Sequence, residues 1–398
     1  MSENATKYIM LISDGMADRA LPELDGRTPM QVAKKRNMDY IAANGRVGAV
    51  RTIPPGMDPG SDVAAMSLLG YDPRKYYTGR APIEAASMQI PLEKHDVAFR
   101  CNLVSCDGVN MVDYSGGHVS TEEARELITY IGERLGSRTL NFYSGISYRH
   151  IMVWRDGSPD VMTTPPHNIT GRPIAEFLPE GDNDDKLRTL MFDSLELLDN
   201  HPINRRRREA GKHPANMIWL WGQGLSLNIP SFFSKTGKTG SVIAAVDLVR
   251  GLGIAAGFNA PIIPGATGYL DTNFEGKAQH ALAALKTHDL VVVHVEAPDE
   301  AGHNGDIEAK IKAIEDIDRR TLGVLLDGLK ATPKFRIMVT PDHATPICIK
   351  THADEPIPFA IYSSFEPAGT NIPFDERAVE ETKLRVDEGF RLIDLLLS

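Results

Sequence analysis

The chain has 398 residues, of which 42% are apolar, and its formal net charge at pH 7 is -10. This length accommodates one large α/β domain and a smaller second domain, and the negative charge excludes a nucleic-acid-binding surface. The three cysteines form neither a disulfide framework nor a metal-binding spacing. The sequence has no stretch of about 18 apolar residues and no secretory leader pattern, so we expect a cytoplasmic protein without a membrane partner.

The first predicted element is the short apolar run Lys7 to Ser13, which Asp14 follows directly. Such a run is typical of a strand that is buried on both faces of a parallel sheet. Ligands of open α/β sheets bind beyond the carboxyl ends of the strands. Asp14 is therefore a candidate ligand. A helix is predicted next over residues 28–45, from a Thr-Pro start to a glycine stop, and then a strand over residues 46–53.

A loop rich in proline and glycine follows, and residues 62–69 then have the pattern of a short helix that Gly70 ends. This pattern places Ser61 next to a helix N-terminus, where free backbone N–H groups and the helix dipole favour a phosphoryl group. Most serines at such positions are only helix caps. Ser61 is nevertheless the candidate nucleophile, because a divalent metal can activate a serine hydroxyl.

The middle of the chain has a different pattern of predicted elements, with strand-like runs on both sides of a helix from Thr121 to Leu135. The polar stretch Asp182 to Asp185 then interrupts the pattern, and another helix follows it. We therefore predict a core formed by residues 1–87 and 186–398, with residues 88–185 inserted as a cap domain.

A second buried strand is predicted over residues 290–295, and the loop after it carries Asp299 and His303. Apolar residues at helical spacing predict an amphipathic helix over residues 305–330. This helix is the crossover to a third apolar run, over residues 335–339.

The loop after the third run, residues 340–358, contains Asp342, His343 and His352. Carboxylate and neutral imidazole groups are ligands of divalent transition metals. Because the carboxyl ends of parallel strands meet at one edge of a sheet, we expect the three loops to converge there. The predicted ligands are Asp14, Asp299, His303, Asp342, His343 and His352, enough for two metals rather than one. Spacing alone leaves open which ligand binds which metal.

Seven motifs, spread over nearly the whole chain, carry a family resemblance. They are LISDGMAD (Leu11 to Asp18), PGSDVAAMSLLGYDP (Pro59 to Pro73), YYTGRAPIEAASM (Tyr76 to Met88), FRCNLVS (Phe99 to Ser105), YRHIMVW (Tyr148 to Trp154), APDEAGHNGD (Ala297 to Asp306) and TPDHATP (Thr340 to Pro346). In this order the chain resembles the archaeal type of the cofactor-independent phosphoglycerate mutases, a branch of the alkaline phosphatase superfamily. The resemblance implies an alkaline-phosphatase-like α/β fold, in which helices sandwich a mostly parallel sheet and a smaller α+β cap domain is inserted.

The resemblance also implies a division of the ligands between two metals. The implied ligands of one metal are Asp299, His303 and His352. The implied ligands of the other are Asp14, Asp342, His343 and Ser61, which is also the implied nucleophile. Aspartate and histidine ligands suit manganese, zinc or cobalt, and magnesium binds imidazole less readily. Manganese is the expected metal, and zinc, cobalt or magnesium are alternatives.

The implied reaction is the interconversion of 3-phosphoglycerate and 2-phosphoglycerate, a step of glycolysis, through a phosphoserine. No bisphosphoglycerate would be needed, because the protein itself would hold the phosphate. The implied substrate contacts are Arg80, Arg100, Arg149 and His118. The lysine that assists catalysis in the longer bacterial-type mutases has no matching position, and Lys235 and Lys238 are only nearby.

Three alternative functions stay open at this point. The first is a sister phosphotransferase, such as a homoserine kinase, which would have the same metal site. The second is a phosphatase or phosphonate hydrolase on the same core, expected if the cap admits water. The third is a metal-stabilised binding protein without activity. The sequence does not indicate an oligomeric state.

Overall fold

The computed structural model describes residues 5–366, 368–370 and 372–398. The chain divides into two compact units. The first unit is formed by the residues up to Tyr77 together with Ile229–Ser398, and the second unit is Thr78–Asn228. None of the helices in the described ranges combines the length and the apolar character needed to span a bilayer.

The bounds of the strands and helices are as follows. The strands are β1 (Lys7–Ser13), β2 (Arg46–Val50), β3 (Val97–Cys106), β4 (Met111–Asp113), β5 (Leu140–Tyr143), β6 (Arg149–Trp154), β7 (Val161–Met162), β8 (Glu180–Gly181), β9 (Met217–Leu225), β10 (Gly240–Ile243), β11 (Leu290–Val295), β12 (Phe335–Thr340), β13 (Ile357–Ser363) and β14 (Arg385–Val386). The α-helices are α1 (Pro29–Val32), α2 (Arg36–Ala43), α3 (Ser61–Leu68), α4 (Pro73–Tyr76), α5 (Arg80–Ser87), α6 (Thr121–Leu135), α7 (Asp184–Asp199), α8 (Pro202–Glu209), α9 (Phe232–Thr236), α10 (Asp247–Ala255), α11 (Phe274–Ala284), α12 (Ala297–Asn304), α13 (Ile307–Asp316), α14 (Gly323–Leu329), α15 (Arg377–Glu381) and α16 (Leu392–Leu397).

The main sheet lies in the first unit, where the described residues form seven strands in the order β10-β11-β1-β12-β13-β2-β14. The strands β10, β11, β1 and β12 pair in parallel, whereas β13 runs antiparallel to both of its neighbours. Every residue of β11 and β12 is buried, as their apolar sequences predict. The predicted fold class, an α/β fold with a mostly parallel sheet and helices, is confirmed.

The register of the central strands brings three loops to one edge of this sheet. Ser13 of β1 is level with Val295 of β11, and Ile12 of β1 is level with Thr340 of β12. The residues that follow these strands therefore begin at the same height. This is the convergence that the sequence predicts for the ligand-bearing loops.

The helix predicted over residues 28–45 is interrupted in the structure and forms α1 and α2. The predicted cap is present, because the Thr28 side chain accepts a hydrogen bond from the backbone of Gln31. A new helix begins at α2, where the buried carboxylate of Asp318 accepts hydrogen bonds from the backbone N–H groups of Asn37 (3.2 Å) and Met38 (2.8 Å). Asp318 lies in a π-helical segment, Ile317–Leu322, that joins α13 to α14. A distant residue thus supplies the cap that local sequence does not reveal.

The second unit has its own antiparallel sheet and hydrophobic core. Strand β3 is central and pairs with β9, β6 and β4, and α7 packs into the same core through Leu187, Leu190 and Met191. This unit is longer than the predicted insertion, residues 88–185, because α7 and β9 belong with β3. The role of the insertion as a cap stays a prediction.

A polar network in the first unit ties the C-terminal segment to the loop after β1. One carboxylate oxygen of Glu376 accepts a hydrogen bond from the backbone N–H of Asp18 at 2.9 Å. The other accepts a hydrogen bond from the Thr28 hydroxyl at 2.5 Å. Burial raises the pKa of Glu376 from its ordinary value of 4.5 to about 7.

The raised pKa of Glu376 predicts a pH-dependent contribution to stability. The folded state binds this proton more tightly than the unfolded chain does, so the contribution is fully present below pH 4.5 and is lost as pH rises through 7. Glutamine cannot ionise. The free energy of unfolding of Glu376→Gln, relative to wild type, should therefore rise by about 2 kcal/mol between pH 5 and pH 8.

Urea unfolding of the chelated protein at both pH values measures this difference. The exposed Glu381, mutated to glutamine, serves as the control and should give a difference that does not change with pH. The same pH-independent result for Glu376→Gln would contradict the assignment.

Candidate functional site

All residues that were predicted as metal ligands or nucleophile lie together in the first unit, at the carboxyl end of the main sheet. The loops after β1 and β12 supply four of them. The two that were expected in a loop after β11, Asp299 and His303, lie on the helix α12 instead, and Ser61 is the first residue of α3. The members of this cluster are Asp14, Ser61, Asp299, His303, Asp342, His343 and His352.

The first predicted ligand group consists of Asp299, His303 and His352. His303 Nε2 lies 3.2 Å from Asp299 Oδ2 and 3.0 Å from His352 Nε2, and His352 Nε2 lies 3.5 Å from Asp299 Oδ1. Asp299 and His303 are four residues apart on α12, so one face of this helix presents both. Asp299 is buried, whereas the imidazole side chains of His303 and His352 are 34% and 20% exposed. This side of the cluster is accessible to solvent.

The second predicted group is centred on His343. Its Nε2 atom lies 3.1 Å from Ser61 Oγ, 3.4 Å from Asp342 Oδ2 and 3.5 Å from Asp14 Oδ1. Asp14, Asp342 and His343 are buried, whereas Ser61 is partly exposed. The serine hydroxyl is thus the part of this group that an external molecule can reach.

The two groups adjoin each other. One ligand atom each from Asp299, His343 and His352 lies within 4.8 Å of the others, although the resemblance assigns His343 to the other metal. The same holds for Asp14, Glu296 and Asp299. The predicted ligands therefore form one continuous cluster, and their assignment to two metals stays a prediction.

The buried carboxylates test whether a metal cation fits this cluster. Within the described part of the chain, no hydrogen bond reaches either oxygen of Asp14 or Oδ2 of Asp342. Their side chains are 1% and 0% exposed. An ionised carboxylate without a donor or a cation is strongly unfavourable in a protein interior. The carboxylate and imidazole donors therefore fit a divalent metal, the kind of ion that such ligands bind.

The pKa values report how negative this cluster is. Burial, together with the charges of Asp342 and Asp299, raises the pKa of Asp14 well above its ordinary value. The hydrogen bond to Asp299 raises the pKa of His303 to about 9. Burial lowers the pKa of His343, so this imidazole is neutral at pH 7 and keeps a lone pair for a ligand. A field that holds a proton on His303 will also attract a metal cation.

Further residues at this site are not predicted from the sequence. His294 lies in the middle of an apolar strand, yet its Nε2 atom is 3.0 Å from Asp14 Oδ2, and burial lowers its pKa to about 4. The fully buried Lys277 donates a hydrogen bond to the His294 carbonyl at 3.0 Å, and burial lowers its pKa to about 8. A histidine inside the run LVVVHV was an available signal. No local pattern distinguishes Lys277 on α11.

Lys235 and Lys238, which do not match the catalytic lysine of the longer mutases, form contacts elsewhere in the first unit. The ammonium group of Lys238 lies 5.0 Å from the ring centroid of Tyr8. Tyr8 is at the amino end of β1, whereas Asp14 follows its carboxyl end. Lys235 donates a hydrogen bond to the carbonyl of Gly70. Neither contact involves a predicted ligand.

Three of the predicted substrate contacts lie near one another in the second unit. Glu84 forms ion pairs with both Arg80 (3.4 Å) and Arg100 (3.1 Å). The guanidinium of Arg100 is 4.2 Å from the ring centroid of Trp221. Burial, and then the positive charges of Arg80 and Arg149, lower the pKa of Arg100 to about 10.

The fourth predicted substrate contact, His118, lies on a turn after β4. Its backbone has a left-handed φ of 49°, and its N–H donates a hydrogen bond to Ser115 Oγ at 3.1 Å. The substrate role of His118 and of the three arginines stays a prediction.

Comparisons with known proteins agree with this site. The profile of the family described as 2,3-bisphosphoglycerate-independent phosphoglycerate mutase matches residues 42–204. A protein of that name from Methanosarcina barkeri is 50% identical over 98% of this chain and 99% of its own length. A protein of the same name from Methanothrix thermoacetophila is also 50% identical, over 98% of this chain and 100% of its own length.

Two solved structures share the fold over nearly the whole chain. A protein from Pyrococcus horikoshii has a TM-score of 0.81 and 30% identity, and covers 99% of this chain and 97% of that protein. The cofactor-independent phosphoglycerate mutase of Thermoplasma acidophilum has a TM-score of 0.67 and 27% identity, and covers 98% of this chain and 99% of that enzyme. The chain therefore belongs to the family of 2,3-bisphosphoglycerate-independent phosphoglycerate mutases, isomerases, in its archaeal type.

Proposed function

We propose that this chain interconverts 3-phosphoglycerate and 2-phosphoglycerate, as a step of glycolysis and gluconeogenesis, through a phosphoserine at Ser61. One observation carries the proposal. The reachable Ser61 hydroxyl lies 3.1 Å from His343 Nε2, next to buried oxygens of Asp14 and Asp342 that accept no hydrogen bond from the described residues. A nucleophile beside a cation-binding cluster is the arrangement that phosphoryl transfer needs.

The proposed ligands are the two predicted groups, with Asp299, His303 and His352 in one and Asp14, Asp342, His343 and Ser61 in the other. Manganese is the proposed metal, and zinc, cobalt and magnesium are the alternatives. When bound, two divalent cations lower the pKa of a serine hydroxyl and neutralise the charge of the transferring phosphoryl group.

Ser61 is the proposed nucleophile of the first half-reaction and the leaving group of the second. In the first, Ser61 Oγ forms a bond to phosphorus while the bond from phosphorus to the 3-oxygen of glycerate breaks. Ser61 loses a proton and the 3-oxygen gains one. In the second, the 2-hydroxyl of the retained glycerate loses its proton and its oxygen forms a bond to phosphorus, while the bond from phosphorus to Ser61 breaks and the serine regains a proton.

The position of Ser61 on its helix supports this role. As the first residue of α3, it lies where backbone N–H groups have no carbonyl partner within the helix. These groups and the positive end of the helix dipole stabilise a phosphoryl group on the serine. The eight residues of α3 are nearly all buried, so the helix is firmly anchored behind Ser61.

A mutase must also retain glycerate and exclude water while the phosphoserine exists. The proposed contacts to the anionic substrate are Arg80, Arg100, Arg149 and His118, since guanidinium groups bind carboxylate and phosphate bidentately. The ion pairs of Glu84 with Arg80 and Arg100 would hold these two guanidinium groups in defined orientations.

A coupled assay for 2-phosphoglycerate, run without bisphosphoglycerate, tests the proposed function. The purified chain is chelated and then supplied with 3-phosphoglycerate, with and without MnCl2. We expect conversion only after manganese is added, and no release of free phosphate. Phosphate release alone would identify a hydrolase. No reaction, in a protein with full metal content, would contradict the mutase and favour a phosphotransferase with another acceptor.

Replacing the nucleophile should separate chemistry from metal binding. Ser61→Ala should lose interconversion by at least about a thousandfold, because no phosphoserine can form. Its manganese content should fall little, since the three other ligands of its group remain. The control is Ser67→Ala, which removes a buried hydroxyl of the same helix that donates to the Thr52 carbonyl and should keep its activity. Near-normal turnover of Ser61→Ala would refute the covalent route.

Neutralising a buried carboxylate should have opposite effects with and without metal. Under chelation, Asp14→Asn should unfold at the same temperature as wild type or higher, because it removes a buried charge. With excess MnCl2, the midpoint of wild type should rise by about 5 °C or more and that of Asp14→Asn much less. Differential scanning fluorimetry measures both, with the exposed Asp327→Asn as control. Equal stabilisation of all three proteins by manganese would remove Asp14 from the ligand set.

A further inference from the structure

Thr345 contacts both ligand groups through one hydroxyl. Its Oγ1 atom lies 2.5 Å from Asp299 Oδ1 and 3.3 Å from His343 Nδ1. Asp299 belongs to the first proposed group and His343 to the second. The side chain is fully buried, so water does not compete for these hydrogen bonds.

The chemistry of the partners fixes the direction of the two hydrogen bonds. An ionised carboxylate only accepts hydrogen bonds, so the Thr345 hydroxyl must donate its proton to Asp299. The same oxygen can then only accept from His343, which places the imidazole proton on Nδ1. The lone pair of His343 is left on Nε2, the atom that lies 3.1 Å from Ser61 Oγ. This is the tautomer of His343 that can bind a metal, and the Ala344 carbonyl, which also lies 3.3 Å from Nδ1, favours it together with the Thr345 hydroxyl.

The backbone of Thr345 is held by a buried cation. Lys310, on α13, is fully buried, and its ammonium group donates to three oxygens. These are the carbonyl of Thr345 (2.8 Å), the carbonyl of Ala17 (3.2 Å) and Oδ2 of Asp18 (2.7 Å). The backbone N–H of Thr345 also donates to the Ala17 carbonyl. Lys310 therefore joins the loop after β12 to the loop after β1.

The space around Thr345 is closed by two glycines. A Cβ atom on Gly15 would lie 2.6 Å from both Thr345 Oγ1 and Asp299 Oδ1, and Gly15 also has a φ of 60°. A Cβ atom on Gly302 would lie 2.6 Å from the Thr345 carbonyl oxygen. Neither neighbour can carry a side chain without moving Thr345, so its hydroxyl is confined to the position between Asp299 and His343.

We propose that Thr345 is a positioning residue that couples the two metal-binding groups, by orienting Asp299 of one and His343 of the other through a single hydroxyl. This role rests on the proposed function, because it takes the proposed ligands as given. Hydrogen bonds from residues that orient the ligands without binding the metal themselves typically raise metal affinity tenfold to hundredfold. The loss of one hydroxyl should therefore weaken both sites together.

Isothermal titration calorimetry, in which MnCl2 alone is added to the chelated protein, tests the proposal without requiring turnover. Thr345→Val keeps the shape of the side chain and removes the hydroxyl, and its dissociation constants for both manganese ions should rise at least about tenfold. Thr345→Ser restores the hydroxyl and should remain within about threefold of wild type. Rescue by serine is a result that a purely space-filling role would not give.

Thr321→Val is the matched control, because Thr321 is equally buried in the same unit and its hydroxyl donates to the Phe274 carbonyl at 3.3 Å. It should lose some thermal stability and keep its manganese affinity. Unchanged affinity in Thr345→Val, or an equal loss in Thr345→Ser, would overturn the positioning role alone. Failure of wild type to bind two manganese ions would overturn the proposed ligand set and the role of Thr345 with it.

Discussion

The constraint on which this structure depends is the burial of like charges at one edge of a sheet. Asp14, Asp299 and Asp342 leave three neighbouring strand ends and meet where water is largely excluded. Carboxylates so placed repel one another, and no hydrogen bond to Asp14 from the described residues offsets this, although His294 Nε2 lies 3.0 Å from Asp14 Oδ2. Such an arrangement is stable only if bound protons or cations neutralise part of the charge. The parallel sheet, the glycine at position 15 and the buried threonine behind the ligands all serve to hold these charges in place.

The sequence predicts three carboxylate ligands because each follows a run of apolar residues that is typical of a buried strand. Asp14, Asp299 and Asp342 are recognisable in this way, and the structure brings them together. The residues around these ligands cannot be predicted from the sequence in the same way. Lys277 and Lys310 lie on helices and reach the site through tertiary packing, so the spacing of nearby residues does not predict their role. Thr345 is part of the motif TPDHATP, but its role is not predicted from the sequence because the orientation of a hydroxyl depends on the atoms around it.

The dependence on tertiary contacts also explains why local patterns predict the bounds of some elements wrongly. The interruption between α1 and α2 depends on Asp318, a carboxylate from a helix far along the chain. The second unit extends beyond the predicted insertion because β9 pairs with β3, and pairing between distant strands has no compositional signal. Local patterns predict the strands that precede the ligands, whereas contacts between elements decide where helices begin and which strands belong together.

The position of β1 in the sheet has a consequence for how the chain is made. This strand is translated well before its two neighbours in the sheet, β11 and β12, and its residues pair with Leu290 to Val295 on one side and Phe335 to Thr340 on the other. Until the ribosome has passed both partners, an almost wholly apolar strand has no native neighbour and is open to wrong pairing. The predicted ligand cluster is therefore complete only late in folding, after strands from the first and last thirds of the chain have paired.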